Sequence, residues 1–196
     1  MLELLIGLVA IYLLFGNTIK GMFGEFRFKK KIEWWLNDYY RLISNAYFKT
    51  SFGTTQVDHI LLTEKGIIVI EVKNYANVEV FGTERAKIWS VKYPNGKMFK
   101  HKNPLHQNYG HIKAIERILG FSENIISLVV FSNKVKFVKK MPSNVINESD
   151  FRKFYEKLDG KALSRDKIEK YYRTIDSNRD TSPFVTIKHN LLQRFR

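Results

Sequence analysis

Apolar positions change their spacing several times along the chain, and each spacing predicts an element. From Leu4 to Phe15 every residue is apolar or glycine. Extended to Met1 and Ile19, this run approaches the roughly 20 residues that span a bilayer. Gly21–Gly24 then read as a hinge. Residues 25–43 place Phe28, Ile32, Trp35, Leu36, Tyr39 and Ile43 at three- and four-residue intervals, which predicts one amphipathic helix. Residues 46–50, Gln56–Thr63 and Gly66–Lys73 read as strands. The turn Glu64-Lys65-Gly66 joins the last two, with glycine supplying positive φ. The run Ile-Ile-Val-Ile before Glu71 is apolar at every position, the pattern of a central strand buried on both faces.

Residues 78–93 suggest further strands, and Pro94-Asn95-Gly96-Lys97 is a strong hairpin turn. Asn103-Pro104 ends the next strand. Residues 105–119 read as a second helix with Leu105, Tyr109, Ile112, Ile115, Ile118 and Leu119 on or near its apolar side. Ile125–Phe131 follows as a buried strand and Val135–Val138 as a short edge strand. In the tail, Phe151–Leu158 is a helix that Ser149 or Asp150 can cap, and Ser164–Tyr172 is another, capped by Ser164. The final HNLLQRFR is a basic amphipathic end. The order of elements is helix, three-strand antiparallel meander, helix, strand: one α/β domain. Three segments result: 1–19 as a membrane or signal-anchor helix, 21–138 as the folded domain, and 139–196 as a small, partly helical extension.

Charge changes the picture more than composition does. Across 196 residues, 33 Lys and Arg stand against 19 Asp and Glu, a net charge of +14. Such a surface attracts polyanions: nucleic acid, an anionic membrane, or no dedicated ligand at all. No basic side chain precedes the apolar N-terminal run, whereas Lys20, Arg27, Lys29, Lys30 and Lys31 follow it. The positive-inside rule then predicts a single-pass cell-membrane protein with its folded domain in the cytoplasm. A buried or peripheral apolar helix and a cleaved signal are the alternatives. There is no cysteine, which excludes disulfides, thiol catalysis and thiolate metal sites.

The candidate chemistry lies between residues 57 and 73. Side chains alternate along a strand, so Glu71 and Lys73 share a face and Val72 takes the other. A hairpin turning between Glu64 and Lys65 brings Asp58 opposite Glu71. Two adjacent carboxylates resist burial. A hard divalent cation, Mg²⁺ or Mn²⁺, relieves that repulsion and can polarise a phosphate. Lys73 would orient or deprotonate a water, or stabilise charge on phosphoryl oxygens. The competing reading is a plain ion pair, for example Asp58 with Lys73, at the ends of two strands.

Longer motifs surround this cluster: Gly24-Glu25, Gln56-Val57-Asp58-His59, Gly66 through Tyr75, Trp89, and Asn103-Pro104-Leu105-His106-Gln107-Asn108. Together, in this order over about residues 21–131, they resemble the NERD, or nuclease-related, domain family, a branch of the PD-(D/E)xK nuclease-like fold. The resemblance implies that Asp58, Glu71 and Lys73 are the core metal and catalytic residues. It implies that Glu25 is an added acidic residue reaching the metal directly or through water, and that Gln107 is a polar residue at the site rim. Asp58, Glu71 and Glu25 would be the metal ligands. The implied function is a membrane-anchored, Mg²⁺- or Mn²⁺-dependent nuclease that hydrolyses phosphodiester bonds, with DNA as the expected nucleic-acid partner. The alternative is a non-catalytic nucleic-acid-binding or scaffold protein that retains the fold. Glu25 can also be read as a helix-end carboxylate favoured by the dipole. His59 reads as structural, and His101, His106 and His111 do not form a zinc set.

Overall fold

The structure is a computed structural model and describes residues 21–51, 53–122, 124–159, 163–182 and 185. The predicted anchor, residues 1–19, and the basic end from residue 189 lie outside these residues. Among the described residues, no helix is long and apolar enough to cross a membrane.

The chain folds as mixed α/β. Helix α1 occupies residues 21–35. Strands β1 (Tyr40–Thr50), β2 (Gly53–Thr63) and β3 (Gly66–Lys73) form an antiparallel meander. Strands β4 (Val78–Phe81), β5 (Ile88–Lys92) and β6 (Met98–Lys102) follow, then α2 (Pro104–Leu119), β7 (Ile125–Phe131), β8 (Val135–Phe137) and β9 (Val145–Asn147). A 3₁₀ turn (Glu148–Asp150) leads into α3 (Phe151–Glu156), and α4 spans Arg165–Ser177. The main sheet runs β1-β2-β3-β7-β9, with β7 parallel to both neighbours; a smaller sheet runs β6-β5-β4-β8.

Alternation along β3 builds the layers. Ile67 and Val69 face α2 and α4, packing with Ile112, Ile115, Ile168 and Ile175. Ile68, Ile70 and Val72 face α1 and α3, packing with Phe28, Ile32, Phe151 and Tyr155. The apolar run before Glu71 is thus a central strand covered on both faces, as its pattern predicts. A third cluster joins the small sheet to the main one, with Trp89 stacked on Phe131 at 6.2 Å. The β2–β3 turn has the expected register, Thr63 opposite Gly66 and His59 opposite Ile70. Gly66 sits at φ +134°, and a Cβ there would lie 2.8 Å from the Asn124 carbonyl oxygen.

Four sequence expectations change. The first helix ends at residue 35 rather than 43, because residues 40–43 enter β1 and pair with Ile60–Thr63. Gly21–Gly24 are helical rather than a hinge. Gly24 is buried where α1 meets Asn74, and a Cβ on it would fall 2.4 Å from the Asn74 Cβ. Helix α4 runs on to Ser177, although Ser164 caps it as predicted, accepting from the Lys167 N–H. The predicted cap of α3 makes no side-chain hydrogen bond, since the 3₁₀ turn already leads the backbone in.

Residues beyond 138 are woven into the same body. β9 pairs with β7, Phe151 and Tyr155 enter the α1-side core, and Ile168 and Ile175 enter the α2-side core. Buried Glu148 accepts from Arg27 at 2.5 Å and from Lys31 at 2.6 Å, tying α1 to this C-terminal stretch.

Candidate functional site

The site forms where β2 and β3 splay apart. Backbone pairing between them ends at His59 and Ile70. One residue further on, Asp58 uses its side chain instead: Oδ2 accepts the Val72 N–H at 2.7 Å. Splaying exposes strand-end groups, and the carboxylate satisfies a donor that would otherwise be buried without a partner.

Glu71 lies beside it on the α2 face of β3, 2% exposed. Its Oε1 accepts from Lys73 Nζ at 2.6 Å, and its Oε2 meets His111 Nε2 at 3.0 Å. Lys73 Nζ also donates to Gln107 Oε1 at 3.0 Å. His111 Nδ1 is 2.7 Å from Thr55 Oγ1, so Thr55 on β2 fixes the ring that faces Glu71. A continuous polar chain therefore runs Thr55, His111, Glu71, Lys73, Gln107, drawn from β2, β3 and α2.

Helix α2 brings two of these residues because its start is pinned. Asn103 is wholly buried; its Oδ1 accepts the Leu105 N–H at 2.9 Å and its Nδ2 donates to the carbonyls of Glu84 and Ala86. Asn108, one turn on, donates to the Val69 carbonyl and to Ser127 Oγ, both at 2.9 Å, locking α2 onto β3 and β7. Glu25 comes from α1 on the opposite side of the sheet. Its carbonyl oxygen lies 3.2 Å from His59 Nε2, and His59 Nδ1 lies 2.9 Å from Ser44 Oγ. His59 is buried away from the cluster and holds α1 in place, the structural role predicted for it.

Electrostatics show that the three carboxylates share one neighbourhood. Burial, then the charges of Glu71 and Glu25, push Asp58 well above the usual carboxylate range, against the pull of the Val72 N–H and Lys73. Burial and Glu71 likewise raise Glu25. Burial also opposes ionisation of Glu71, but Lys73 and His111 outweigh it and hold Glu71 below its ordinary value. Burial disfavours the Lys73 ammonium, yet contact with Glu71 raises its proton affinity. Lys73 therefore keeps its proton here. As an ammonium it is placed to stabilise negative charge.

A cleft of about 540 Å³ opens beside these groups, lined by Asp58, Thr55, Gln56, Asn103, His106, Gln107 and His111, with Lys87 and Lys102 among its walls. Asp58, Glu71, Lys73 and Gln107 thus lie in one neighbourhood, and Glu25 approaches within electrostatic range. Among the described residues, no group of three His, Asp or Glu side chains is arranged to hold a metal ion as it stands. Glu71 already spends both oxygens on Lys73 and His111. The donors are nonetheless of the kind a hard divalent cation takes: carboxylate oxygens in one neighbourhood, with burial and then neighbouring carboxylate charge raising the proton affinity of Asp58 and Glu25. Sequence reasoning missed Thr55, His111 and Asn108. Helical spacing carries the signal for His111, which lies one turn beyond Gln107 on the same face of α2.

No solved structure matches the chain. An uncharacterised protein of Bacillus anthracis is 34% identical over 139 residues, covering 68% of this chain and 65% of that protein. The chain thus spans about two thirds of the length of that relative. The family model described as "Nuclease-related domain" matches residues 20–132, the stretch that supplies Glu25, Asp58, Glu71, Lys73, Gln107 and His111, and on that match the chain belongs to the nuclease-related domain (NERD) family.

Proposed function

We propose that the protein is a metal-dependent nuclease with a PD-(D/E)xK-like core, hydrolysing phosphodiester bonds in nucleic acid, with DNA as the first substrate to test. The observation that carries this reading is the buried Glu71–Lys73 pair beside a proton-hungry Asp58, in a cleft with Lys87 and Lys102 in its walls. Asp58, Glu71 and Glu25 would hold Mg²⁺ or Mn²⁺, which supplies Lewis acidity toward a phosphate. Lys73, as an ammonium, balances charge that builds on phosphoryl oxygens. Gln107 and Glu71 hold that ammonium in place, while His111 and Thr55 orient Glu71. Lys87 and Lys102 offer contacts to backbone phosphates. Residues 1–19 would anchor the enzyme in the cell membrane, with the folded domain on the cytoplasmic side.

The test is cleavage of single- and double-stranded DNA and RNA by the full-length chain, with Mg²⁺ or Mn²⁺ and with chelator. Glu71→Ala and Lys73→Ala are expected to abolish product while substrate binding persists. Absence of metal-dependent product from every substrate would sink the catalytic reading.

A second reading rests on the closed network at Glu71, whose two oxygens are already satisfied. In that case the fold is a non-catalytic nucleic-acid-binding or scaffold module. It predicts no Mn²⁺ binding by calorimetry and unchanged nucleic-acid affinity in Glu71→Ala.

A further inference from the structure

Helix α1 is apolar on two sides. Phe28, Ile32 and Leu36 line its inner side, buried against β2, β3 and α3. Phe26 and Trp34 share a second stripe, two residues out of phase and so roughly 160° around the helix. Phe23 extends this stripe by one turn, and Met22 flanks it. Trp34 is 79% exposed, Phe23 67%, Phe26 56% and Met22 53%. Trp34 and Phe23 are the two most exposed large apolar side chains among the described residues. Single exposed apolar residues need no explanation, but four on the outward face of one helix do.

The charges around the stripe indicate what covers it. Lys30 lies within it, its ammonium over the Phe26 ring at 5.8 Å from the centroid. Lys30 on the stripe and Lys29 on its flank share one carboxylate, Glu33, at 2.9 and 3.8 Å, which leaves this side of the helix net positive. Aromatic side chains interleaved with lysine on one face of a helix suit the headgroup layer of an anionic bilayer. A second copy of this chain suits it less, since pairing would bring two such cationic faces together on molecules that each carry +14. The apolar run ending at Phe15 stands only a few residues before α1, so a membrane-bound N-terminus delivers this helix to the surface.

We infer that α1 lies along the membrane surface, with Phe23, Phe26 and Trp34 inserted among anionic lipid headgroups and Lys29 and Lys30 on their phosphates. This contact rests on the proposed anchoring of residues 1–19 and adds a second, oriented attachment to it. It holds the inner face of α1, and the domain packed on it, away from the lipid.

The experiment uses the full-length chain reconstituted into vesicles of phosphatidylglycerol and phosphatidylcholine, with and without brominated acyl chains. Vesicle flotation tests the anchor. Tryptophan emission tests the helix, with Trp34→Phe identifying the contribution of Trp34. Flotation together with bromolipid quenching of a component that Trp34→Phe lacks supports the inference. Loss of that quenching in Phe23→Ser/Phe26→Ser, whose side chains lie outside the core, supports it further. Flotation without quenching at Trp34 overturns the surface helix and leaves the anchor standing. Failure to float overturns both. Protection of Trp34 from acrylamide in detergent, rising with protein concentration, assigns the face to a second copy and also overturns the inference.

Discussion

Single residues in this protein act by supplying a partner that the backbone or a buried charge lacks. His59 is the clearest case. It is enclosed between Ser44 and the Glu25 carbonyl, and burial lowers its proton affinity from the ordinary 6.5 to about 4. Between those two values the unfolded chain binds a proton that the folded chain excludes. Stability from neutral His59 is therefore complete above pH 6.5 and is lost as pH falls toward 4, amounting to about 3 kcal/mol. Urea titrations at pH 7 and pH 4.5 should show that loss, and His59→Gln should flatten this part of the pH profile. At Glu71, removing one partner strands a buried charge. Lys73→Met should cost about 3 kcal/mol in chemical denaturation, and Lys73→Met/Glu71→Leu should recover much of it. If the double variant is no more stable than the single one, the pair is not the source of the loss. The placing of Asp58 beside Glu71, with Lys73 on their face, was legible in the sequence because strand alternation and hairpin arithmetic are local rules; Glu25 came from the family resemblance alone. Thr55 and His111 were not legible, because their role appears only once α2 is laid across β2 and β3.

At the scale of elements, the close approach of α1 to the loop after β3 is a tight constraint. Gly24→Ala would place a methyl group into the Asn74 side chain. It should destabilise the protein by about 1–3 kcal/mol and displace Glu25, which the next residue carries. Thermal melts read the first effect. A partial rescue by removing the opposing side chain, Asn74→Gly, separates a steric cause from a general loss of helix. Element boundaries were the least legible part of the sequence. The aromatic-rich stretch from Trp34 to Ile43 satisfies a helical and a strand period at once. Tertiary pairing with β2 decides it, since residues 40–43 gain a ladder on the meander that a longer helix would forfeit. β9 has three residues, too few for any periodicity.

For the whole molecule, the family match ends at residue 132, but the hydrophobic layers do not. Phe151 and Tyr155 complete one layer and Ile168 and Ile175 the other, while Glu148 is the buried carboxylate that Arg27 and Lys31 share. Truncation after residue 138 should therefore abolish cooperative unfolding, measured by calorimetry, rather than release an independent domain. A truncated chain with a sharp, two-state transition would contradict this. The sequence conveyed the helices of this region through their spacing and, for α4, through its cap. It could not convey their destination, because which face of a sheet a helix covers depends on connections and not on its own pattern.

The placement of β9 has a consequence for how the protein is made. Every residue of the candidate site, from Glu25 to His111, is synthesised before β7, β9 and α4. The meander can pair early, since its contacts are local, but parallel pairing of β3 with β7 and of β7 with β9 spans long stretches of chain and is intrinsically slow. Until β7 arrives, Asn108 has neither Ser127 nor the Leu128 carbonyl to hold, and α2 is tied to the sheet through β3 alone. The acidic cluster is therefore synthesised before it is fully assembled, and α2 gains its full hold on the sheet only after β7 has been translated.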